Sequence, residues 1–318
     1  MIFASRGPSW CPLRAAAALL AGLTVVSTDG LIVVDKPGGM TSHDVVARIR
    51  RLARTRRVGH GGTLDPMATG VLVIGVGRAT RLLTYVIGAG KSYTATIRLG
   101  QSTITDDAEG DVIATTPAGT VTDEAVRTAL AALTGEIDQV PSAVSAIKIN
   151  GERAYKRVRE GESVELPARR VTISRLDVRS IRRDQTDVVD VDVDVTCSSG
   201  TYIRAIARDV GLALGVGGHL TALRRTAVGD FTLAEAATLD ELEQRAPEVV
   251  NLPLDAAADR YFPRRDATPD EARILSHGGP LDPAGITGPY AVFGPDGLIA
   301  IVSERDGRAR AEIVLAPA

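Results

Sequence analysis

Asp65 is the only acidic side chain in GGTLDPMATG, residues 61–70. Glycines and a proline mark this segment as an ordered loop, and the apolar run of residues 71–76 follows at once. A carboxylate fixed in this way is placed for chemistry more than for solubility, and several chemistries remain open to it. Metal chemistry has little support. His43, His60, His219 and His277 stand far apart with no Cys or His partner at metal-ligand spacing, so no metal is expected. The alternation of Val and Asp over residues 188–195 could be read as an acidic metal site, but aspartates that alternate with valines point to solvent from a half-exposed strand. Gly88-Ala89-Gly90-Lys91-Ser92 ends like a phosphate-binding loop. Tyr85 occupies the place of its first glycine, however, and a helix precedes it where a strand is required.

The elements that must hold Asp65 can be read from periodicity. With 318 residues, 44% hydrophobic and 24% charged, the chain can bury a full core and has room for one large domain and a small one. Residues 30–34 form a strand closed by the turn Asp35-Lys36-Pro37-Gly38-Gly39. Thr41 and Asp44 have capping-box spacing at the head of a helix with Val45, Ile49 and Leu52 inward. The other face of that helix and the segment after it carry Arg48, Arg50, Arg51, Arg54, Arg56 and Arg57 with no acid between Val45 and Leu64, which suggests more than a solvated face. Residues 71–76 read as a buried strand and 79–87 as a short helix. Residues 92–99 read as a strand with Tyr93, Ala95, Ile97 and Leu99 on one face. Helices are expected at 122–134 and 201–214, the second placing Tyr202 and Arg204 at a strand-to-helix junction. Beyond residue 254, short apolar runs broken by Gly and Pro fit a small β-rich domain. Residues 1–29 carry Arg6, Arg14 and an apolar run too short to span a bilayer, and are read as a dispensable extension or the product of an upstream start codon, ahead of a weakly helical tail or a targeting peptide. Cys11 and Cys197 cannot build a disulfide framework, which points to a reducing compartment.

Together with GLIVVDKPGGMTSHDVV before it, KSYTATIRLG after it, and SSGTYIRAIARDVG and LRR downstream, GGTLDPMATG resembles the bacterial tRNA pseudouridine-55 synthases, the TruB family. The resemblance runs from Gly30 to about Val228 and is weaker in the tail. The family's His-x-Gly-x-Leu-Asp-Pro core stands here as His60, Gly62, Leu64, Asp65 and Pro66. It implies an α+β fold: a mixed, largely antiparallel sheet with flanking helices, plus a small PUA-like β-rich C-terminal domain. The expected division is 1–29 as extension, 30–254 as catalytic domain with an RNA-gripping insertion at about 140–161, and 255–318 as the C-terminal module. One departure stands at Ser142, where many members continue with a second proline.

Turning uridine into pseudouridine breaks the N1–C1′ bond, rotates the uracil and rejoins it through C5. No electrons or phosphates change hands, so no cofactor is expected. An anionic oxygen near the sugar or base is needed. The resemblance assigns that role to Asp65, pairs it with Arg204, and makes Tyr93 the residue that stacks on the flipped base and handles the C5 proton. It further implies substrate contacts from His60, Tyr202, Leu223 and Lys36. Base flipping costs a few kcal/mol, which phosphate contacts must offset. The net charge of −2 looks wrong for an RNA binder, but acids and arginines are segregated along the chain, Arg169-Arg170 and Arg224-Arg225 included. Backbone contacts are expected from Arg54, Arg57, Lys148, Arg153 and Lys156, the last three on the insertion with Arg157. The implied partner is the T-arm stem-loop of tRNA, met by a cytoplasmic monomer with no membrane and no obligatory protein partner. A non-catalytic RNA-binding or tRNA-folding protein on the same fold is the alternative. A guide-RNA-dependent synthase is a third reading.

Overall fold

A computed structural model describes residues 29–143, 148–149, 152–153 and 166–318. Its centre is a ten-stranded sheet. From one edge the main path runs Leu252–Pro253, Gly30–Lys36, Thr69–Val76, Gly218–Val228, Lys91–Leu99, Val188–Cys197, Arg169–Gln185 and Gly135–Gln139. Every pairing along it is antiparallel except one, a short parallel seam where Arg224 and Arg225 meet Thr69 and Gly70. The fold is thus mixed α/β with a mainly antiparallel sheet, flanking helices and a β-rich C-terminal part.

The seam depends on a glycine. Gly70 has φ +102°, and a Cβ there would lie 2.1 Å from the carbonyl oxygen of Arg225. Only glycine lets the two backbones approach in this conformation. Asp65 sits just before this crossing, so the seam fixes where its loop ends.

The alternation expected over residues 92–99 holds. In Lys91–Leu99 the odd positions are buried and the even ones half-buried. Tyr93, Ala95, Ile97 and Leu99 join Val189, Val191, Val193 and Val195 in a core closed by helices Asp123–Ala131 and Ile203–Ala213. The capping box also forms: the Thr41 amide donates to Asp44 Oδ2 at 2.9 Å and the Asp44 amide to Thr41 Oγ1 at 3.1 Å, opening helix Ser42–Leu52. The single helix expected over 79–87 is instead a 3-10 turn, Gly77–Leu82, continued by the α-helix Leu83–Gly88. The acidic face of Val188–Cys197 is less wet than the alternation suggested. Asp190 pairs with Arg98 at 2.8 Å, and Asp192 with Arg182 at 3.0 Å. The Arg182 guanidinium, with Ser180 and Thr96 hydroxyls, holds the Asp192 carboxyl down at about 2.

The C-terminal residues form a four-stranded sheet ordered Arg264–Asp266, Tyr290–Gly294, Gly297–Arg305, Arg308–Val314. One side packs on helix Pro269–Ser276 through Leu275, Leu281, Tyr290 and Val292. The other shares a core with the main sheet. Asp29, assigned above to the extension, bonds Arg78 through both its backbone amide and its guanidinium. Residues 1–28 lie outside the described part, as does Lys156. Lys148 and Arg153 pair across a two-strand hairpin. Among the described residues no helix is long and apolar enough to cross a membrane.

Candidate active site

The Asp65 loop is held at almost every peptide. The Ser42 hydroxyl donates to the Leu64 carbonyl at 3.1 Å and accepts from the Leu64 amide at 2.9 Å. The Gly39 amide donates to Pro66 O at 2.9 Å, and the Ala68 amide to Asp65 O at 3.1 Å. From the far side Arg225 donates to the carbonyls of Gly62 and Thr63, each at 3.2 Å. The carboxylate therefore projects from a scaffold with little freedom, as a reactive group must if orientation is to contribute to rate.

Lys36 belongs to that scaffold. Its ammonium donates to Pro37 O at 2.8 Å, Met40 O at 2.6 Å and Pro66 O at 3.1 Å, and the residue is 0% exposed. An ammonium has three protons, and all three are engaged. The expected substrate contact is corrected on this ground: Lys36 ties the Lys-Pro-Gly turn to the Asp65 loop and has neither access nor a free donor. Burial lowers its pKa to about 8.

Asp65 and Arg204 meet as expected. Arg204 Nε lies 3.1 Å from Asp65 Oδ2 and Nη2 donates to Oδ1 at 3.4 Å. Arg204 opens helix Ile203–Ala213, and its side chain is 7% exposed against 33% for Asp65. The guanidinium is buried while the carboxylate keeps a face toward the cavity. A second acid, not anticipated from the sequence, completes the arrangement: Arg204 Nη1 lies 3.2 Å from Asp107 Oδ2 and donates to Thr105 O at 3.0 Å. Asp107 is 3% exposed and its other oxygen accepts from Thr105 Oγ1 at 2.6 Å and the Glu109 amide at 3.0 Å. Within TDDAEGD, residues 105–111, nothing separates Asp107 from a solvated acidic turn until that turn folds against Arg204.

The carboxylate opens into a cavity of about 250 Å³ whose lining includes Tyr93, Tyr202, Leu223 and Arg204. That is below the roughly 300–1,000 Å³ of sites for drug-sized ligands and suits one small ring. Tyr93 is 8% exposed, and burial raises its phenol pKa against the opposing effect of Arg225, so it is a neutral hydroxyl at neutral pH. Tyr202 precedes the helix and is clamped by Gln139, whose amide accepts from Tyr202 N at 2.8 Å and donates to Tyr202 O at 3.1 Å. Leu223 reaches the cavity from the strand beside Ala95.

His60 does not line this cavity. It ends the short strand Val58–His60, its ring meeting His43 edge-on at 5.3 Å, and burial lowers its pKa. Its Nδ1 has no hydrogen-bond partner among the described residues. Arg224 and Arg225 are not the free surface cations expected: Arg224, half-buried, forks onto Asp35 at 3.0 and 2.6 Å, and Arg225 is 1% exposed in the cavity wall. Arg48 reaches Glu243 at 2.5 Å, and Arg50 donates to Val58 O at 3.0 Å. Among the described residues Arg51, Arg54, Arg56 and Arg57 make no ion pair and Arg51, Arg54, Arg56 and Arg57 are exposed.

Comparison with known proteins follows the same course. Residues 50–203 match the family described as TruB family pseudouridylate synthase (N terminal domain). Residues 204–256 match the tRNA pseudouridylate synthase B C-terminal domain, and 262–316 the tRNA pseudouridine synthase II C-terminal family. Proteins named tRNA pseudouridine synthase B are 58% identical in Arthrobacter sp. (strain FB24) and 61% identical in Mycobacterium sp. (strain KMS), each covering 91% of this chain and 97% of the relative. Among solved structures, an archaeal box H/ACA sRNP Nop10–Cbf5 complex is similar, with TM-score 0.65 and 28% identity over 91% of this chain and 86% of that one. An H/ACA RNP bound to a substrate RNA containing 2′-deoxyuridine gives 0.64 and 25% over the same shares.

Proposed function

We propose, from the premise that the chain belongs to the TruB family of pseudouridylate synthases, that it isomerises uridine 55 in the T-loop of tRNA to pseudouridine. The family makes it an isomerase, a tRNA pseudouridine synthase of the TruB type. The observation that carries the finer reading is the half-open Asp65 carboxylate, gripped by a buried Arg204 at the mouth of a cavity sized for one ring. In this reading the flipped uracil enters between Tyr93, Tyr202 and Leu223, and Asp65 supplies the anionic oxygen at the sugar or the base. Arg204 fixes one edge of Asp65 and leaves the other for the substrate. The exposed arginines between Arg51 and Arg57 take phosphates of the T-arm, and the chain works in the cytoplasm without an obligatory protein partner.

A non-catalytic RNA-binding protein would have no use for a carboxylate and guanidinium oriented this closely, and their presence favours the enzyme. The test is a tRNA transcript tritiated at C5 of uridine. Wild type should release tritium, and Asp65→Asn should be slower by about three orders of magnitude or more, the scale on which nucleophile removal acts. Equal rates would remove Asp65 from catalysis, and no release by wild type on any tRNA would sink the enzyme reading.

A further inference from the structure

Two cations in the cavity wall have no counter-ion among the described residues. Lys91 and Arg225 both line the Asp65 cavity, are 8% and 1% exposed, and make no ion pair among the described residues. Arg225 gives Nε to Val71 O at 2.7 Å besides its bonds to Gly62 and Thr63, so carbonyl dipoles take three of its five N–H groups. Lys91 donates to Ile87 O and Ala89 O, each at 2.7 Å, and to Ser199 Oγ at 3.3 Å. Burial and the proximity of Arg225 depress its pKa to about 8, so it is charged at neutral pH at a cost. The acid of the cavity, Asp65, is already engaged by Arg204. Burying two mutually repelling cations without a carboxylate is unfavourable, and the cavity is a place where an anion can arrive.

We infer that Lys91 and Arg225 form a cationic cradle that holds the uracil as an anion after it leaves C1′ and while it turns. This rests on the reading that the cavity isomerises uridine. Heterolysis of N1–C1′ leaves the electron pair on the ring, where the negative charge spreads over N1, O2 and O4. C1′ is satisfied either by a bond to an Asp65 oxygen or by loss of the C2′ proton to form a double bond. In either route the detached base carries one negative charge. C5 then bonds to C1′ as the Asp65–C1′ bond breaks in the first route, or as a proton returns to C2′ in the second; the C5 proton is lost, N1 gains one, and no net oxidation occurs. A ring that must rotate is poorly served by directional hydrogen bonds, which favour one orientation. Lys91, whose three donors are tied to the protein, and Arg225, with three of its five so tied, act mainly by Coulomb attraction in every in-plane orientation, and more strongly in a dry site than in water.

The test compares Lys91→Met, Arg225→Met and Arg225→Lys on tRNA carrying uridine or 5-fluorouridine at the target, under single-turnover conditions. Consumption of the target nucleoside is read by chromatography of digested tRNA. Fluorine makes uracil a better anion and should lessen the need for the cradle. Each Met variant is expected to slow uridine by about 10–100-fold with KM within about twofold of wild type, somewhat below the loss of an oxyanion-hole donor. The same variants should slow 5-fluorouridine by less than about fivefold, and Arg225→Lys should recover most of the uridine rate. If Arg225→Met does not fold, the Lys91→Met comparison stands alone. Equal losses on both bases would make the cations structural and overturn the inference. So would a salt-dependent rise in KM with the rate constant unchanged, which would make them phosphate contacts. A wild type inactive on both tRNAs would instead defeat the proposed function.

Discussion

A guanidinium bound to one carboxylate can still swing about that contact, whereas Arg204, bridging Asp65 and Asp107, is fixed at both ends. The two acids differ in what they can reach. Asp65 keeps a third of its side chain open, while Asp107 is enclosed and saturated by Thr105 and the Glu109 amide. Asp107 is thus a positioning residue for Arg204, with no contact to the cavity. Asp107→Asn should lower kcat by about 10–100-fold and leave KM close to wild type. Breaking a buried pair should also cost stability, on the order of 3–5 kcal/mol. Steady-state kinetics beside thermal unfolding check both; an unchanged kcat, or a loss confined to KM, would remove Asp107 from the network. Asp65 was legible because its loop is punctuated by Gly and Pro, and Arg204 and Tyr93 because their motifs resemble a family's. Asp107 was not, since its role comes from a contact 97 residues away in sequence. Lys36 misled for the converse reason: a motif position tells that a residue matters, and its three carbonyl acceptors tell that it matters to the loop.

The strands that were read correctly either alternate cleanly, as Lys91–Leu99 and Val188–Cys197 do, or are unbroken apolar runs, as in Gly30–Lys36 and Thr69–Val76; those that were missed are neither. Arg169–Gln185 breaks register against its neighbour at three places, so its apolar residues fall out of phase and its six arginines dominate the pattern. Gly218–Val228 has two such breaks and carries His219, Arg224 and Arg225 among its leucines. Buried polar residues at a site are what disguise a central strand there. The basic helix was legible in its periodicity, but its charges divide in the fold. Arg48 is drawn to Glu243 on helix Leu239–Arg245 and Arg50 to a backbone carbonyl, which leaves Arg51, Arg54, Arg56 and Arg57 toward solvent. RNA contact should therefore depend on the end of the helix and the turn beyond it. Replacing Arg54 and Arg57 with Ala should weaken tRNA binding and reduce the slope of log K against log salt by about 1–2, the release expected for two phosphate contacts. Binding isotherms at several salt concentrations measure this, and an unchanged slope would take the segment off the RNA surface.

At the scale of the molecule, the modest net charge of −2 conceals local balance. Asp190, Asp192 and Asp194 of Val188–Cys197 are matched by Arg98, Arg182 and Arg179, so the acidic face of that strand is locally balanced. The C-terminal part was legible as a β-rich unit but not in its attachment. Helix Leu254–Tyr261, which the sequence places with the tail, packs Leu254, Ala257 and Ala258 into the same core as Leu31, Val33, Val71 and Val73 of the main sheet. Ala291, Phe293, Leu298, Ile301 and Leu315 enter that core from the C-terminal sheet. Polar ties cross the same boundary: Arg78 donates to Leu315 O at 3.1 Å, Tyr85 to Glu312 at 2.7 Å, and Tyr261 to Tyr85 O at 2.9 Å. Units joined through a shared apolar core lose it together, because either one alone would expose the other's buried face to water. Calorimetry should accordingly give one unfolding transition for the whole protein. Ile301→Ala, which leaves a cavity at the junction, should lower that transition by the equivalent of about 2–5 kcal/mol without splitting it. Two resolved transitions in the wild type, with only the C-terminal one moved by the substitution, would show that the tail folds as a separate module on a surface it does not share.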